Sequence, residues 1–311
     1  MDGLEKISYS RLSTFEQCPR RFMYRYEQKK YSDTTSLSLE IGTIAHYGME
    51  LVAEALTKGL KPDYGYITQS VMDGYDEVDG DTTVHIPGVT ELREKYFFEW
   101  VEPDNKSGMN YDEKLKIYFD NLKDMEQDEE WTPVAVEMEF DFPYKDLFRM
   151  YGFIDRVDVN KAGEYRVVDY KSSKKVFDDR DLKTPMQMYF YALAVENEFG
   201  AAPVEFVYDF VFLGKMQNAC SKGYKERGEK KLAKLWEAIG ECRGSGIWKS
   251  SPSPLCFWCE YSRTNPNALC EYREACQYYS LWTPHNKTYE KNKEFDPKNT
   301  EVDNKADGFW F

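Results

Sequence analysis

Between Gly152 and Lys171 the chain reads GFIDRVDVNKAGEYRVVDYK. Phe153, Asp155, Val157 and Val159 fall at the two-residue period of a β-strand, and Tyr165 to Lys171 forms a second such run. Asn160, Lys161, Ala162 and Gly163 supply a turn between them, so the stretch is expected to fold as a β-hairpin. Asp169 and Lys171 leave the same face of their strand, whereas Val168 and Tyr170 point to the other. Asp155 comes within reach of Asp169 if the turn lies near 161–163. Two readings account for acids and an ammonium in this place. One is a cross-strand ion pair; the other is a hard divalent cation held by carboxylate oxygens. Val157 and Val167 share the face and point to burial, where charge needs strong compensation, and this favours the cation.

Outward from the hairpin, Val134, Val136 and Met138 alternate with Ala135, Glu137 and Glu139, a further strand. Glu137 is either a supporting acid for the site or a solvent-facing strand residue. A helix is expected over 184–199, ending at Gly200, then a strand over 204–213 and a basic helix over 222–239. Strands flanked by helices give a mixed α/β core. The first thirty residues read as helical, with Leu12, Phe15 and Phe22 on one face, Ser10 as a cap and Pro19 as a break. They carry seven Lys/Arg against four Asp/Glu. Gly42 and Thr43 open another helix, with Ile44, Met49 and Leu51 as its apolar members. Residues 61–130 form an acidic insertion over the core, with a solvated loop at Asp73, Asp76, Glu77, Asp79 and Asp81 and helices over 91–100 and 111–125. Residues 1–284 are expected to make a single domain and 285–311 a flexible tail. The terminal Gly308-Phe309-Trp310-Phe311 either packs back on the body or serves as a docking peptide.

With 41% hydrophobic residues in 311, wholesale disorder is excluded. No apolar run reaches the ~20 residues of a membrane span, and the N-terminus has no signal-peptide core. A soluble cytoplasmic protein is expected. Asp and Glu number 55 against 41 Lys and Arg, for a net charge of −14. That balance opposes non-specific coating of nucleic acid but allows a local basic channel around acidic ligands. Lys222, Lys225, Arg227, Lys230, Lys231 and Lys234 against Glu226 and Glu229 make either a solvated helix face or, with Arg20, Arg21 and Arg25, a phosphate track. Seven cysteines without an export signal favour metal binding or thiols over disulfides. The CxxC pair Cys256/Cys259 can chelate zinc or an iron–sulfur cluster; Cys220 and Cys242 read as ordinary thiols.

GFIDRVD (152–158) followed by VVDYKSS (167–173) resembles the active-site core of the PD-(D/E)XK nuclease superfamily, in its RecB-like branch. GTIAH (42–46) resembles that branch's upstream histidine motif, and Gln187 with Tyr191 its QxxxY helix. Cys18-Pro19, together with the C-terminal cysteines, resembles the subset with an iron–sulfur cluster, which includes helicase–nuclease subunits, CRISPR-adaptation nucleases and phage exonucleases. The resemblance spans roughly 8–282, apart from the acidic insertion. It implies a restriction-endonuclease-like core with a helical N-terminal part and a cysteine-bearing C-terminal part.

By the same resemblance, Asp155, Asp169 and the Tyr170 carbonyl would ligate Mg²⁺ or Mn²⁺. His46 would add a ligand or contact, and Lys171 would position the attacking water. Gln187 and Tyr191 would touch the DNA backbone or that water. Cys18, Cys256 and Cys259 would hold a [4Fe–4S] cluster with Cys276, or with Cys270, as fourth ligand. The inserted SRTNPNAL departs from the usual spacing, and a zinc site of Cys256, Cys259, Cys270 and Cys276 competes. The implied function is a DNA exonuclease of recombination, repair or phage DNA processing in a bacterial or phage-infected cell, partnered by an annealing protein or a helicase. A non-catalytic DNA-binding scaffold is the alternative, and the intact Asp155, Asp169 and Lys171 argue against it.

Overall fold

The computed structural model describes residues 3–31, 35–178, 182, 186–219, 223–253, 256, 259–261 and 270. The elements in chain order begin with β1 (Lys6–Ile7), α1 (Tyr9–Gln17), α2 (Pro19–Phe22), a π-helical turn over Met23–Glu27, and α3 (Leu37–Thr57). Then come α4 (Tyr64–Asp73), β2 (Gly74–Asp79), β3 (Thr82–Pro87), α5 (Val89–Lys95), α6 (Phe97–Val101) and α7 (Tyr111–Asp124). The remainder comprises β4 (Trp131–Tyr144), β5 (Phe148–Asn160), β6 (Tyr165–Lys171), α8 (Met186–Phe199), β7 (Glu205–Phe210), β8 (Lys215–Asn218) and α9 (Tyr224–Ser245). The result is the expected α/β arrangement, a mixed sheet flanked by helices. Among the described residues no helix is long and apolar enough to cross a membrane.

The six-stranded sheet runs β1-β5-β6-β7-β8, with β4 also paired to β5. The expected central hairpin forms, with Val157 opposite Val167 and Val159 opposite Tyr165. Asn160 builds its turn: the side-chain oxygen accepts from the Ala162 and Glu164 amides at 2.9 and 3.0 Å. Gly163 follows at φ 80°, a conformation that glycine adopts without strain. β6 then pairs parallel with β7 through Lys171 opposite Phe210.

The β5 edge that faces β6 decides where the site lies. It pairs with β1 at Arg149 and Met150 and with β6 from Arg156 to Val159. Between those two stretches, β6 has diverged. Asp155 is the first side chain past the split, and its carboxylate accepts the Tyr170 amide at 2.7 Å. A side chain thus takes a backbone donor that the ladder no longer satisfies.

Several elements differ from expectation. α3 begins at Leu37, where Ser36 caps it by accepting from the Leu39 amide, so Gly42 lies inside the helix. Ser10 falls in the first turn of a helix that starts at Tyr9 and is not its cap. Pro19 does open a new helix at its first position. The acidic stretch expected as a loop is largely a hairpin, β2 with β3, because Asp79-Gly80-Asp81 is a tight-turn sequence and Gly80 sits at φ 58°. The strand expected over 204–213 ends at Phe210 and returns as β8, while the basic helix runs on to Ser245.

Contacts divide the chain into two compact units: residues 1–9 with 35–232, and residues 10–34 with 233–311. In the first, α3 buries Leu37, Ile41, Ile44, Met49 and Val52, an i, i+4, i+7 stripe, against Val168, Tyr170 and Val207 of the sheet. Trp100, Leu115, Tyr118 and Leu122 from the 61–130 segment join the same cluster. That segment therefore supplies core as well as cover. In the second unit, Phe15 and Phe22 pack on Trp248, the Phe22 and Trp248 rings stacked at 5.9 Å.

Candidate metal centre

Three side chains from three elements meet at the split between β5 and β6. His46 of α3, Glu137 of β4 and Asp155 of β5 each offer a ligand atom within 4.8 Å of the others. The His46 Nδ1 lies 3.7 Å from Asp155 Oδ2. One imidazole and two carboxylates form an oxygen-rich set that suits Mg²⁺ or Mn²⁺. The electrostatics fit a cation as well. Burial, together with Asp155, Glu50 and Asp169, pushes Glu137 up to about 8. Burial also raises Asp155, against the opposing effect of His46. Glu50, one helical turn beyond His46, is raised by burial and by Glu54. Packed acids that resist ionising are a place where an added positive charge is stabilising.

Glu137 reaches this point through its backbone. Val136 opposite Arg156 and Met138 opposite Ile154 bracket the position, and Glu137 itself has φ 43°, rare for a side chain other than glycine. The alternation of side chains changes there. Val136 packs on the α3 cluster, whereas Phe140 meets Tyr191 and Tyr144 meets Tyr189, both of α8. The alternation of Glu137 and Glu139 makes Glu137 a weaker candidate beside its reading as a solvent-facing strand residue, and no sequence signal marks the left-handed turn. Glu50 was not singled out at all; its spacing of four from His46 is the signal that could have found it.

Asp169 and Lys171 lie beside the trio on β6. Lys171 Nζ pairs with Asp169 Oδ2. Burial works against the Lys171 charge, but Asp169 and Asp155 outweigh it and hold the ammonium above its ordinary value. The other oxygen of Asp169 accepts from Gln187 Nε2 at 2.8 Å and from Tyr191 Oη at 3.1 Å, and Gln187 also donates to Tyr191 at 2.8 Å. Gln187 and Tyr191, expected to meet DNA or the attacking water, are thus placed as braces on a carboxylate. All these residues, and Tyr170 with them, belong to the first unit.

The other expected positions are less concentrated. Lys230 is exposed and pairs with Glu226 four residues earlier. Lys234 is exposed on the same helix. Arg21 pairs with Glu260 at 2.9 Å, and Arg25 with the other Glu260 oxygen at 3.1 Å. Arg20, Arg21 and Lys234 belong to the second unit, Lys230 to the first. Cys18, Cys256, Cys259 and Cys270 share the second unit, but among the described residues the cysteines form no clear cluster. The Ser251 and Ser253 amides approach the Cys18 and Cys256 sulfurs at 3.4 Å each. Burial pushes the Cys259 thiol up to about 12. Cys220, Cys276 and the tail 285–311 lie outside the described residues. Of the other two histidines, His85 sits in β3 and His285 lies outside the described residues.

The family model described as the PD-(D/E)XK nuclease superfamily matches residues 6–277 of the chain. No curated protein matches the chain.

Proposed function

The chain belongs to the PD-(D/E)XK nuclease superfamily, and on that footing we propose that it is a Mg²⁺- or Mn²⁺-dependent DNA exonuclease of the RecB-like branch. The observation that carries this reading is the meeting of His46, Glu137 and Asp155 at the strand split, beside the Lys171–Asp169 pair. A divalent cation, when bound, supplies polarisation of a phosphoryl oxygen and a lowered pKa for coordinated water. The chain's own groups do the rest. Lys171 stays protonated and offers an ammonium to charge that develops on the phosphoryl oxygens. Gln187 and Tyr191 fix the Asp169 carboxylate, and Asp169 in turn holds Lys171. The Tyr170 amide orients Asp155. DNA is the substrate of this reading, and recombination, repair or phage DNA processing its setting.

The test is digestion of end-labelled linear DNA beside a closed circle, with Mg²⁺, Mn²⁺ or EDTA. Loss of label from the linear molecule alone, dependent on metal and absent in Asp155→Asn and Lys171→Ala, is the expected result. Cleavage of the circle points to an endonuclease, and activity that survives both substitutions overturns the catalytic assignment.

We propose further that Cys18, Cys256, Cys259 and Cys276, or Cys270 as the alternative fourth ligand, would hold a [4Fe–4S] cluster. Support comes from the CxxC spacing and from Cys18 sharing a unit with Cys256 and Cys259. Anaerobically purified protein is expected to absorb at about 400 nm, as thiolate-held clusters do, and to carry iron. Colourless protein with stoichiometric zinc assigns the cysteines to zinc instead.

A further inference from the structure

We propose that Arg156, on the side of the sheet away from Asp169, is a positioning residue for the metal centre and acts through Tyr170. The inference rests on the reading of His46, Glu137 and Asp155 as a cation site.

Tyr170 touches two of those three donors. Its backbone amide donates to Asp155 Oδ2 at 2.7 Å. Its ring stands edge-on to the His46 imidazole, with centroids 5.7 Å apart and planes at 87°. One residue therefore sets the orientation of ligands from both α3 and β5. Its own place is fixed from below, where Arg156 Nη1 donates to the Tyr170 hydroxyl at 3.0 Å and the guanidinium lies 5.6 Å from the ring centre. Arg156 is 2% exposed, so it meets neither solvent nor substrate.

A buried guanidinium is costly unless its charge is compensated, and here the compensation is extended. Arg156 Nε faces Asp158 Oδ1 at 2.9 Å. Asp158 Oδ2 takes Arg166 at 2.6 Å, and Arg166 reaches Asp128 at 2.9 Å. The network crosses from β5 to β6 next to their last paired residues, Arg156 and Val168. It is a rigid polar anchor beneath the point where the strands part. Partners that orient metal ligands typically change metal affinity by about 10–100-fold when removed, and Tyr170 stands in that relation to His46 and Asp155.

Tyr170→Phe removes only the hydroxyl and keeps the ring and amide, while Arg156→Lys keeps the charge but loses the planar fork. Leu122→Ala, a cavity in the same core cluster, serves as the control for lost stability alone. Mn²⁺ binding is measured by calorimetry on the full chain, with thermal midpoints in EDTA. The expected result is about tenfold weaker Mn²⁺ binding in Tyr170→Phe and Arg156→Lys, with Leu122→Ala unchanged in affinity at a comparable or larger loss of midpoint. Wild-type affinity in both network variants overturns the positioning role and leaves the cation site standing. Weakening in all three in proportion to lost stability also overturns it. Wild-type protein that takes up no Mn²⁺ overturns the cation site and the inference together.

Discussion

At the scale of single residues, Glu137 makes the sharpest prediction. Its carboxyl stands at about 8 in the folded chain against an ordinary 4.5, first because it is buried and then because of Asp155, Glu50 and Asp169. An acid that holds its proton more tightly when folded stabilises the fold below its unfolded value and loses that contribution as pH rises through the folded one. Metal-free protein is therefore expected to lose stability between about pH 4.5 and pH 8, with Asp155 and Glu50 acting in the same sense. Glu137→Gln should flatten that decline, as read by urea midpoints at pH 5 and pH 8 in EDTA; a decline as steep as wild type refutes the assignment. The brace on Asp169 gives a second expectation. Tyr191→Phe and Gln187→Ala each remove a donor from the same oxygen, and nuclease rate should fall by about 10–100-fold with the substrate KM little changed. A rise in KM alone would place both residues on DNA instead. His46, Asp155, Asp169 and Lys171 were legible because a short, local pattern carries them. Glu137 was only half legible, since its role depends on one backbone angle and on neighbours from three other elements.

At the scale of elements, α3 shows how close packing positions a ligand. An alanine at Gly48 would normally favour a helix by roughly 0.5–1 kcal/mol. Here a Cβ would stand 2.1 Å from the Tyr118 hydroxyl and 2.7 Å from Val71, and that hydroxyl donates to the Ala45 carbonyl beside His46. Overpacking should win, and Gly48→Ala is expected to cost about 1–3 kcal/mol by urea denaturation; a stabilised variant contradicts the packing. The β2–β3 hairpin adds a clasp, because His85 Nδ1 faces Asp76 and Nε2 faces Glu91 of α5, each at 2.8 Å. Those two hydrogen bonds raise the imidazole above its ordinary value. The clasp is thus strongest where both carboxylates are ionised and the imidazole is still protonated, and it is released as pH rises through the raised value. Hydrogen exchange in 74–87 should accelerate as pH rises above the ordinary imidazole value in wild type, beyond the intrinsic rise, but not in His85→Gln. The central hairpin and α7 were legible because each repeats one period over many residues, and α8 because a long, mostly apolar run ends at Gly200. The strands β1, β2, β3 and β8 were not: they are two to six residues long and mostly polar, so pairing partners and not periodicity define them.

At the scale of the whole molecule, the chain is woven. One unit takes residues 1–9 and 35–232, and the other takes 10–34 with everything after 232. No single cut separates them, and this organisation cannot be seen in a linear reading that finds one motif series from end to end. The second unit is small among the described residues, and its apolar centre leans on Trp248 against Phe15 and Phe22. The Arg21–Glu260–Arg25 pairs tie the residue after Cys259 to the π-helical stretch and its preceding helix. Small cores have little surplus stability, and a structural metal is one common supplement. Trp248→Ala should remove about 3–5 kcal/mol from such a core, enough to open it. The expected readout is loss of hydrogen-exchange protection in 10–31 and 233–248, with α3 and the β4–β5 hairpin keeping theirs. Equal loss of protection in both units would mean that they unfold as one and that the division describes contacts without describing stability. If the cysteines do hold an iron–sulfur cluster, chelating iron from the wild-type protein should reproduce the same local pattern, because the cluster and Trp248 then support the same unit.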